Sequence, residues 1–349
     1  VTQQFLRRDS KQQMQVLVIG CGSIGRRHAQ NLRELGVDDL VLYDADRDRS
    51  KSVARELQAR WVRTVDCGYE DQPDAALICA PTSLHLELAT EALEHDCHLF
   101  VEKPISHSMA GVDGFLEEVE NKGRVLLVGY NFRFDPLVQT LGEWVTDGRV
   151  GRVVSARFHF GSYLPSRHPW EDYRVGYGAR KNLGGGVILD AIHELDLAMW
   201  MFGEPETIYC AGGKFSDLEV DVEDVAEILL SYSDKAVSIH LDSLQRPPER
   251  YCEIIGTSGQ IRADLFRRTL RYFDGEARAW QLGDDYGALD ETYKHEMRHF
   301  LDCVDGRATS AVDGNTAAQS LELAEDVRKS MERNLRVSSS RITAMMASR

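Results

Sequence analysis

The stretch Gly20-Cys21-Gly22-Ser23-Ile24-Gly25 constrains this chain more than any other, because it joins an apolar run, Val16 to Ile19, to a helical pattern beginning near Ile24. Glycine at the first position permits a tight turn, at the second the approach of a pyrophosphate to the main chain, and at the third close packing of helix on strand. The free N–H groups of the helix start, with the positive end of its dipole, then form an anion site that needs no lysine. A second apolar run, Leu40 to Tyr43, ends in Asp44, about 20 residues beyond the glycines, where a carboxylate accepts both hydroxyls of an adenosine ribose. An anion there repels a 2′-phosphate and so favours NAD, while Arg47 and Arg49 stand near enough to keep NADP open. The competing role for Asp44 is a helix cap, for which aspartate is well suited.

Strand and helix patterns then alternate. Helical spacing over 24–35 stops at Gly36, and a helix over 50–57 follows. The run Ala75 to Cys79, ended by Pro81, reads as a strand buried on both faces. Helices over 85–94 and 109–122 lead into strands over 97–101 and 125–130. This predicts an α/β Rossmann domain, a doubly wound parallel sheet, over residues 14–135. Ligands of such sheets sit beyond the carboxyl ends of the strands. Candidate cofactor contacts are therefore Gly20, Gly22, Ser23, Ile24, Gly25 and Asp44, then Ala80, Pro81, Thr82 and His85, and then Glu102 and Lys103. The segment Tyr130-Asn131-Phe132-Arg133 faces the same side.

Beyond Asp135 the texture changes to alternating segments over 153–163, 207–211, 225–232, 236–244, 251–256 and 260–265. Turn signals such as Ser233-Asp234-Lys235 and Thr257-Ser258-Gly259 make these meandering antiparallel strands. Helices over 291–304 and 315–334 close the pattern, the latter with a stripe of Leu321, Ala324, Val327 and Met331. Residues 136–349 thus read as an α+β domain with an open, mostly antiparallel sheet, one face of which needs a cover of helices or another subunit. The polar opening, Val1 to Gln13, reads as a frayed terminus, and 337–349 as a packing arm or a loose tail.

At 349 residues two domains are expected. A formal net charge of −15 argues against nucleic-acid and anionic-membrane partners. The seven cysteines lack CxxC spacing, so neither a disulfide framework nor a zinc site is expected, and no metal is assigned. The absence of a signal pattern or an apolar run of ~18 residues points to the cytoplasm.

The segment Gly184 to Gly203 carries Ile188, Ile192, Leu195 and Met199 on one helical face and Asp190, His193, Glu194 and Asp196 elsewhere. Asp190 and His193, three apart, can touch on a helix. A carboxylate beside an imidazole raises its basicity, as a general base needs. The loop over 163–174, with Tyr163, Arg167, Trp170 and Tyr173, is aromatic and basic. That chemistry suits sugar rings and anionic groups, and a lid or subunit contact is the competing use.

Together, Gly20 to Gly25, Ala80 to His85, Glu102-Lys103-Pro104 and the Gly184 to Gly203 segment resemble the glucose-fructose oxidoreductase, inositol dehydrogenase and rhizopine catabolism (Gfo/Idh/MocA) family, over nearly the whole chain. The resemblance implies reversible, nicotinamide-dependent oxidation of a secondary alcohol on a sugar or cyclitol, with Lys103 and His193 catalytic. It also implies a homodimer or homotetramer through the C-terminal sheet. The chemistry agrees, since hydride leaves a carbinol carbon only when a base takes the hydroxyl proton. His193 suits that role, Lys103 stabilises the developing alkoxide, and Glu102 orients the lysine. The plain alternatives are a Glu102–Lys103 surface ion pair and a structural His193.

In one respect the chain departs from the family: Leu189 stands where many members carry aspartate, so Glu194 or Asp196 competes with Asp190 as the partner of His193. Expected substrate contacts are Asn131, Arg133, Tyr163, Arg167, Trp170, Tyr173, Asp190 and His193. Similarity of the loop to members from bacterial surface-sugar pathways suggests a nucleotide-linked or acidic sugar. A catalytically silent dinucleotide sensor of the same fold is the alternative function.

Overall fold

The computed structural model describes residues 14–347, so the terminus read as frayed, 1–13, lies outside the described residues. Six parallel strands form the first sheet: β1 (Gln15–Ile19), β2 (Asp39–Tyr43), β3 (Arg60–Trp61), β4 (Ala75–Ile78), β5 (His98–Glu102) and β6 (Leu126–Gly129). Their order is β3-β2-β1-β4-β5-β6, so the order reverses between β1 and β4. A crevice for a ligand forms at that point, outside the carboxyl ends. All four residues of β4 are fully buried, which a central strand covered on both faces requires.

Helices α1 (Ser23–Glu34), α2 (Arg47–Leu57), α3 (Asp66–Tyr69), α4 (His85–Glu94) and α5 (Val112–Lys122) connect these strands. The α1 helix buries Gly25, His28, Ala29 and Leu32, a spacing of three, four and seven that keeps one face on the sheet. The carboxylate of Asp46 caps α2, accepting from the Asp48 and Arg49 amides at 3.1 and 3.2 Å. Asp44 is thereby left out of the capping role.

The second half begins with α6 (Pro136–Thr146), β7 (Val153–Gly161), α7 (Leu164–Arg167), α8 (Val187–Asp190) and α9 (His193–Phe202). Then follow β8 (Thr207–Gly213), β9 (Val225–Ser231), β10 (Ala236–Asp242), β11 (Glu249–Gly256), β12 (Gly259–Asp264), β13 (Thr269–Asp274) and β14 (Ala279–Leu282). The chain continues through α10 (Glu291–Val304), α11 (Gly314–Arg333), β15 (Val337–Ser338) and α12 (Ser340–Ala347). The nine-stranded order is β14-β13-β12-β11-β7-β10-β9-β8-β15. Because β7 enters the middle of this sheet, it pairs in parallel with β10 while its other neighbour, β11, runs antiparallel. The sheet is therefore mixed, and mostly antiparallel.

The α10 helix leaves this sheet and returns to the first. Phe300 meets Phe100 edge-on at 5.7 Å, Lys294 pairs with Glu34 at 2.6 Å, and Arg27 with Asp290 at 2.9 Å. After α11, the segment from Val337 is an arm: β15 pairs with β8, and Ser340 Oγ donates to Asp326 at 2.6 Å. Among the described residues no helix is long and apolar enough to cross a membrane.

Candidate active site

The glycine turn follows β1 directly. A Cβ on Gly25 would lie 1.9 Å from the Gly20 carbonyl oxygen, and one on Gly20 would lie 2.5 Å from the Cys79 carbonyl oxygen. Both positions therefore admit only hydrogen, and Gly20 adds a φ of +98° that side chains rarely adopt. Around Gly22 a Cβ would meet nothing within 4 Å, and no side chain caps the start of α1. The turn thus presents uncapped N–H groups to open space, as a dinucleotide pyrophosphate requires. Asp44 follows β2 and is 6% exposed; its carboxylate accepts from the Cys21 and Asp46 amides at 2.7 Å each. Those bonds fix it beside the turn, so the residues present fit a dinucleotide. Gly25→Ala is expected to destabilise the fold by about 1–3 kcal/mol through overpacking and to weaken NAD binding at least tenfold. Denaturant unfolding and a fluorescence titration with NAD measure the two effects.

Beyond the ends of β1, β4, β5 and β6 lies a cavity of about 260 Å³. Of the sequence candidates it is lined by Ser23, Ile24, Ala80, Thr82, His85, Glu102, Lys103, Asn131 and His193. His85 ties two of its walls together, its ring nitrogens lying 2.7 Å from the Pro104 carbonyl oxygen and 2.9 Å from that of Ala80. Asn131 donates to Thr292 Oγ1 at 2.8 Å. Lys103 comes from the end of β5 and His193 from the first residue of α9, and the two converge on this one cavity. The Lys103 ammonium donates to the Asp190 carbonyl oxygen at 2.7 Å, which aims it across the cleft between the two sheets.

The histidine segment differs from its sequence reading. Helix α8 ends at Asp190 and α9 starts at His193, with Ala191 and Ile192 as a break. The Asp190 carboxylate consequently turns away from His193. It accepts from the Tyr177 hydroxyl at 2.6 Å and from Arg167, and lies 3.9 Å from the Lys103 ammonium. Burial raises its pKa, but the charges of Arg167 and Lys103 and these hydrogen bonds outweigh that and bring it to about 2.

Neither alternative neighbour serves His193 either. Glu194 pairs with Arg250 at 2.7 Å. Asp196 takes Arg133 through both oxygens, at 2.7 and 2.9 Å, and a hydroxyl hydrogen from Ser320. The Nδ1 of His193 has no hydrogen-bond partner among the described residues, and the rings of Phe132 and Tyr130 meet the imidazole edge-on. Burial first, then the charges of Lys103 and Arg250, hold His193 well below the ordinary histidine pKa. It is an unprotonated imidazole at neutral pH, by a cause opposite to the expected carboxylate.

Several expected substrate contacts lie elsewhere. Arg133, committed to Asp196, also stacks on Trp200. Tyr163 carries the Arg246 guanidinium on its ring at 3.3 Å, Trp170 is 71% exposed, and the Tyr173 hydroxyl accepts from the Glu219 amide. In their place the cavity gains Arg27, Gly129, His168, Tyr177 and Tyr293. Tyr177 sits in an irregular Gly-Tyr-Gly stretch without a periodic signal, and Tyr293 lies in the helix read over 291–304, whose spacing does not tell that it returns to the first sheet. His168 did lie in the loop read as a substrate segment.

Comparison with known proteins identifies the family. Residues 14–130 match the oxidoreductase family with an NAD-binding Rossmann fold, and residues 138–262 match the GFO/IDH/MocA C-terminal domain. The chain is 30% identical to the myo-inositol 2-dehydrogenase of Thermotoga maritima over 342 residues, covering 91% of this chain and 96% of that protein. It is 27% identical to the NAD(+)-dependent scyllo-inositol 2-dehydrogenase of Bacillus subtilis, covering 89% and 92%. A levoglucosan dehydrogenase solved with NADH and levoglucosan shares the fold, with a TM-score of 0.84 at 19% identity over 94% of this chain and all of that one. The chain belongs to the GFO/IDH/MocA family of NAD-binding oxidoreductases.

Proposed function

We propose that this oxidoreductase transfers hydride between NAD and a secondary carbinol of an uncharged cyclitol or sugar. The observation that carries the reading is the convergence of Lys103 and the unprotonated His193 on one cavity. His193 takes the hydroxyl proton as hydride departs. Lys103, held by the Asp190 carbonyl, donates to the same oxygen as negative charge builds on it. NAD, held at the glycine turn and Asp44, supplies the hydride acceptor. Asp190 positions Lys103 and Tyr177 and takes no part in the proton transfer. Ser23, Ile24, Ala80, Thr82 and His85 serve the cofactor side, and Asn131 and Tyr177 the substrate side.

The neutralisation of Arg167 and Arg174, the arginines of the 163–174 loop, by the protein's own acids supports an uncharged substrate over a nucleotide-linked or acidic sugar. Arg167 is paired with Asp190, Arg174 with Asp172 and Glu219, and Arg180 with Asp221. In the cavity Arg27 is paired with Asp290 and lies over the Tyr293 ring. Two of the relatives named above are inositol dehydrogenases by name, and the third is a levoglucosan dehydrogenase. A panel of inositols, free sugars and nucleotide sugars, each with NAD and NADP, tests the reading by nicotinamide absorbance. NADH formation with a cyclitol or free sugar, and none with nucleotide sugars, is expected. Silence across the whole panel rejects the proposal in favour of a sensor.

The outer face of the nine-stranded sheet exposes Tyr209, Leu229 and Ile255, which suits burial against a second copy of the chain.

A further inference from the structure

Phe158 of β7 packs on Phe202 of α9, and successive residues of a strand point to opposite faces. His159 therefore stands on the outer face of the nine-stranded sheet, where the dehydrogenase chemistry has no part. The parallel pairing of β7 with β10 sets His240 directly beside it. The two rings stack at 4.5 Å, and Tyr251 of β11 stacks on the other side of His159 at 4.6 Å. Asp242, two residues after His240, completes a group in which one nitrogen of each imidazole and one carboxylate oxygen lie within 4.8 Å of one another. The two histidines are far apart in the chain and meet only through strand register, which no spacing motif records.

The chain itself orients each of these groups. Asp242 Oδ1 accepts from the Leu244 and Gln245 amides at 2.6 Å each, which leaves Oδ2 to face His240 Nε2 at 3.0 Å. His240 Nδ1 donates to Glu227 at 2.6 Å, so Nε2 is the nitrogen free to coordinate. A carboxylate behind a ligating imidazole is the usual outer partner in a metal site. Gln245 Nε2 donates to Glu249 at 2.9 Å, which turns Gln245 Oε1 toward His159 Nε2 at 2.7 Å. Gly161 closes the group: a Cβ there would lie 2.2 Å from Gln245 Oε1 and 2.3 Å from Asp242 Oδ2, so two oxygens converge where any side chain would stand. Bonds of about 2.1 Å to one ion set neighbouring donors about 3 Å apart, close to the 2.7 and 3.0 Å found here.

We propose that His159, His240 and Asp242, with Gln245 Oε1 in the fourth position, bind one divalent transition-metal ion of the zinc type as a structural cross-link between β7, β10 and the turn after β10. Two imidazoles beside two oxygens suit the tetrahedral preference of zinc. Calcium and magnesium, which take oxygen ligands, are disfavoured by the same set. The cross-link sits at the root of the 163–174 loop, where the Ser162 amide donates to the Asp242 carbonyl at 3.1 Å and the Leu164 amide to the Ser243 carbonyl at 3.0 Å. All four ligands come from one chain, so the ion belongs to the protomer and is not shared across a contact between copies.

Calorimetric titration of the full chain, free of any affinity tag and stripped with EDTA, with zinc chloride tests the site. One ion per chain is expected, together with a rise in Tm on adding zinc, since a ligand of the folded state stabilises it. Calcium and magnesium chloride should give neither. His240→Ala and His159→Phe should lose both the binding and the rise in Tm; phenylalanine keeps the stack on Tyr251, and melting in EDTA shows that each variant folds. Glu227→Ala, which leaves every ligand in place, should weaken zinc binding about 10–100-fold, as loss of an outer partner does. Failure of the chain to take up zinc, one ion per two chains, or binding that survives both histidine variants overturns the proposal. None of these readouts needs turnover, so their failure is distinguishable from a failure of the substrate panel.

Discussion

Lys103→Met is expected to lower kcat by about 10²–10³-fold, the range lost when a preorganised donor to a developing oxyanion is removed, while NAD affinity changes less than tenfold. Methionine preserves the length and packing of the stem and deletes only the ammonium. That ammonium is 15% exposed with its side chain and is held by the Asp190 carbonyl, so the loss falls on the reacting oxygen and not on the fold. Steady-state kinetics with the best substrate of the panel, beside a fluorescence titration with NAD, separates the two effects. A normal kcat in the variant would remove Lys103 from the mechanism. A parallel collapse of NAD binding would make it a cofactor-site residue.

For His193→Gln the expected loss is about 10²–10⁴-fold in kcat, the usual contribution of a general base. The pH dependence is the sharper test. Since burial, Lys103 and Arg250 hold the imidazole below the ordinary value of 6.5, it stays unprotonated at neutrality and gains a proton only on further acidification. The acid limb of kcat/KM should therefore lie below pH 6.5 and vanish in His193→Gln. Removing the positive charge in Lys103→Met should shift any residual limb upward, because that charge is one cause of the depression. A limb above pH 6.5 in the natural protein would mean that a carboxylate contacts the imidazole after all.

What the sequence made legible was local. The glycine turn, Asp44 after β2 and Lys103 after β5 were readable because in a parallel sheet the functional positions sit at strand ends, within a few residues of the apolar runs that mark them. The partner of His193 was not readable, because a spacing of three implies contact only along an unbroken helix. The break at Ala191 and Ile192 turned Asp190 toward Arg167 and Tyr177 instead. The charge of the 163–174 loop misled for a related reason. Arg174 is neutralised partly by Glu219, far along the chain, and no pattern of arginines reveals whether their partners are ligands or the protein's own acids. Strand β14 buries neither face, all four of its residues, Trp280 and Leu282 among them, being exposed. The parallel pairing of β7 with β10 depends on the order in which strands enter the sheet, which turn signals do not encode.

The return of α10 to the first sheet also bears on how the molecule is made. The glycine turn, Lys103 and His193 have all left the ribosome before Thr292, Tyr293 and Phe300 exist. A nascent chain halted before residue 291 would carry the whole dinucleotide turn and yet leave His28 without Tyr293 and Phe100 without Phe300. A working cleft thus waits on residues made about a hundred positions after His193.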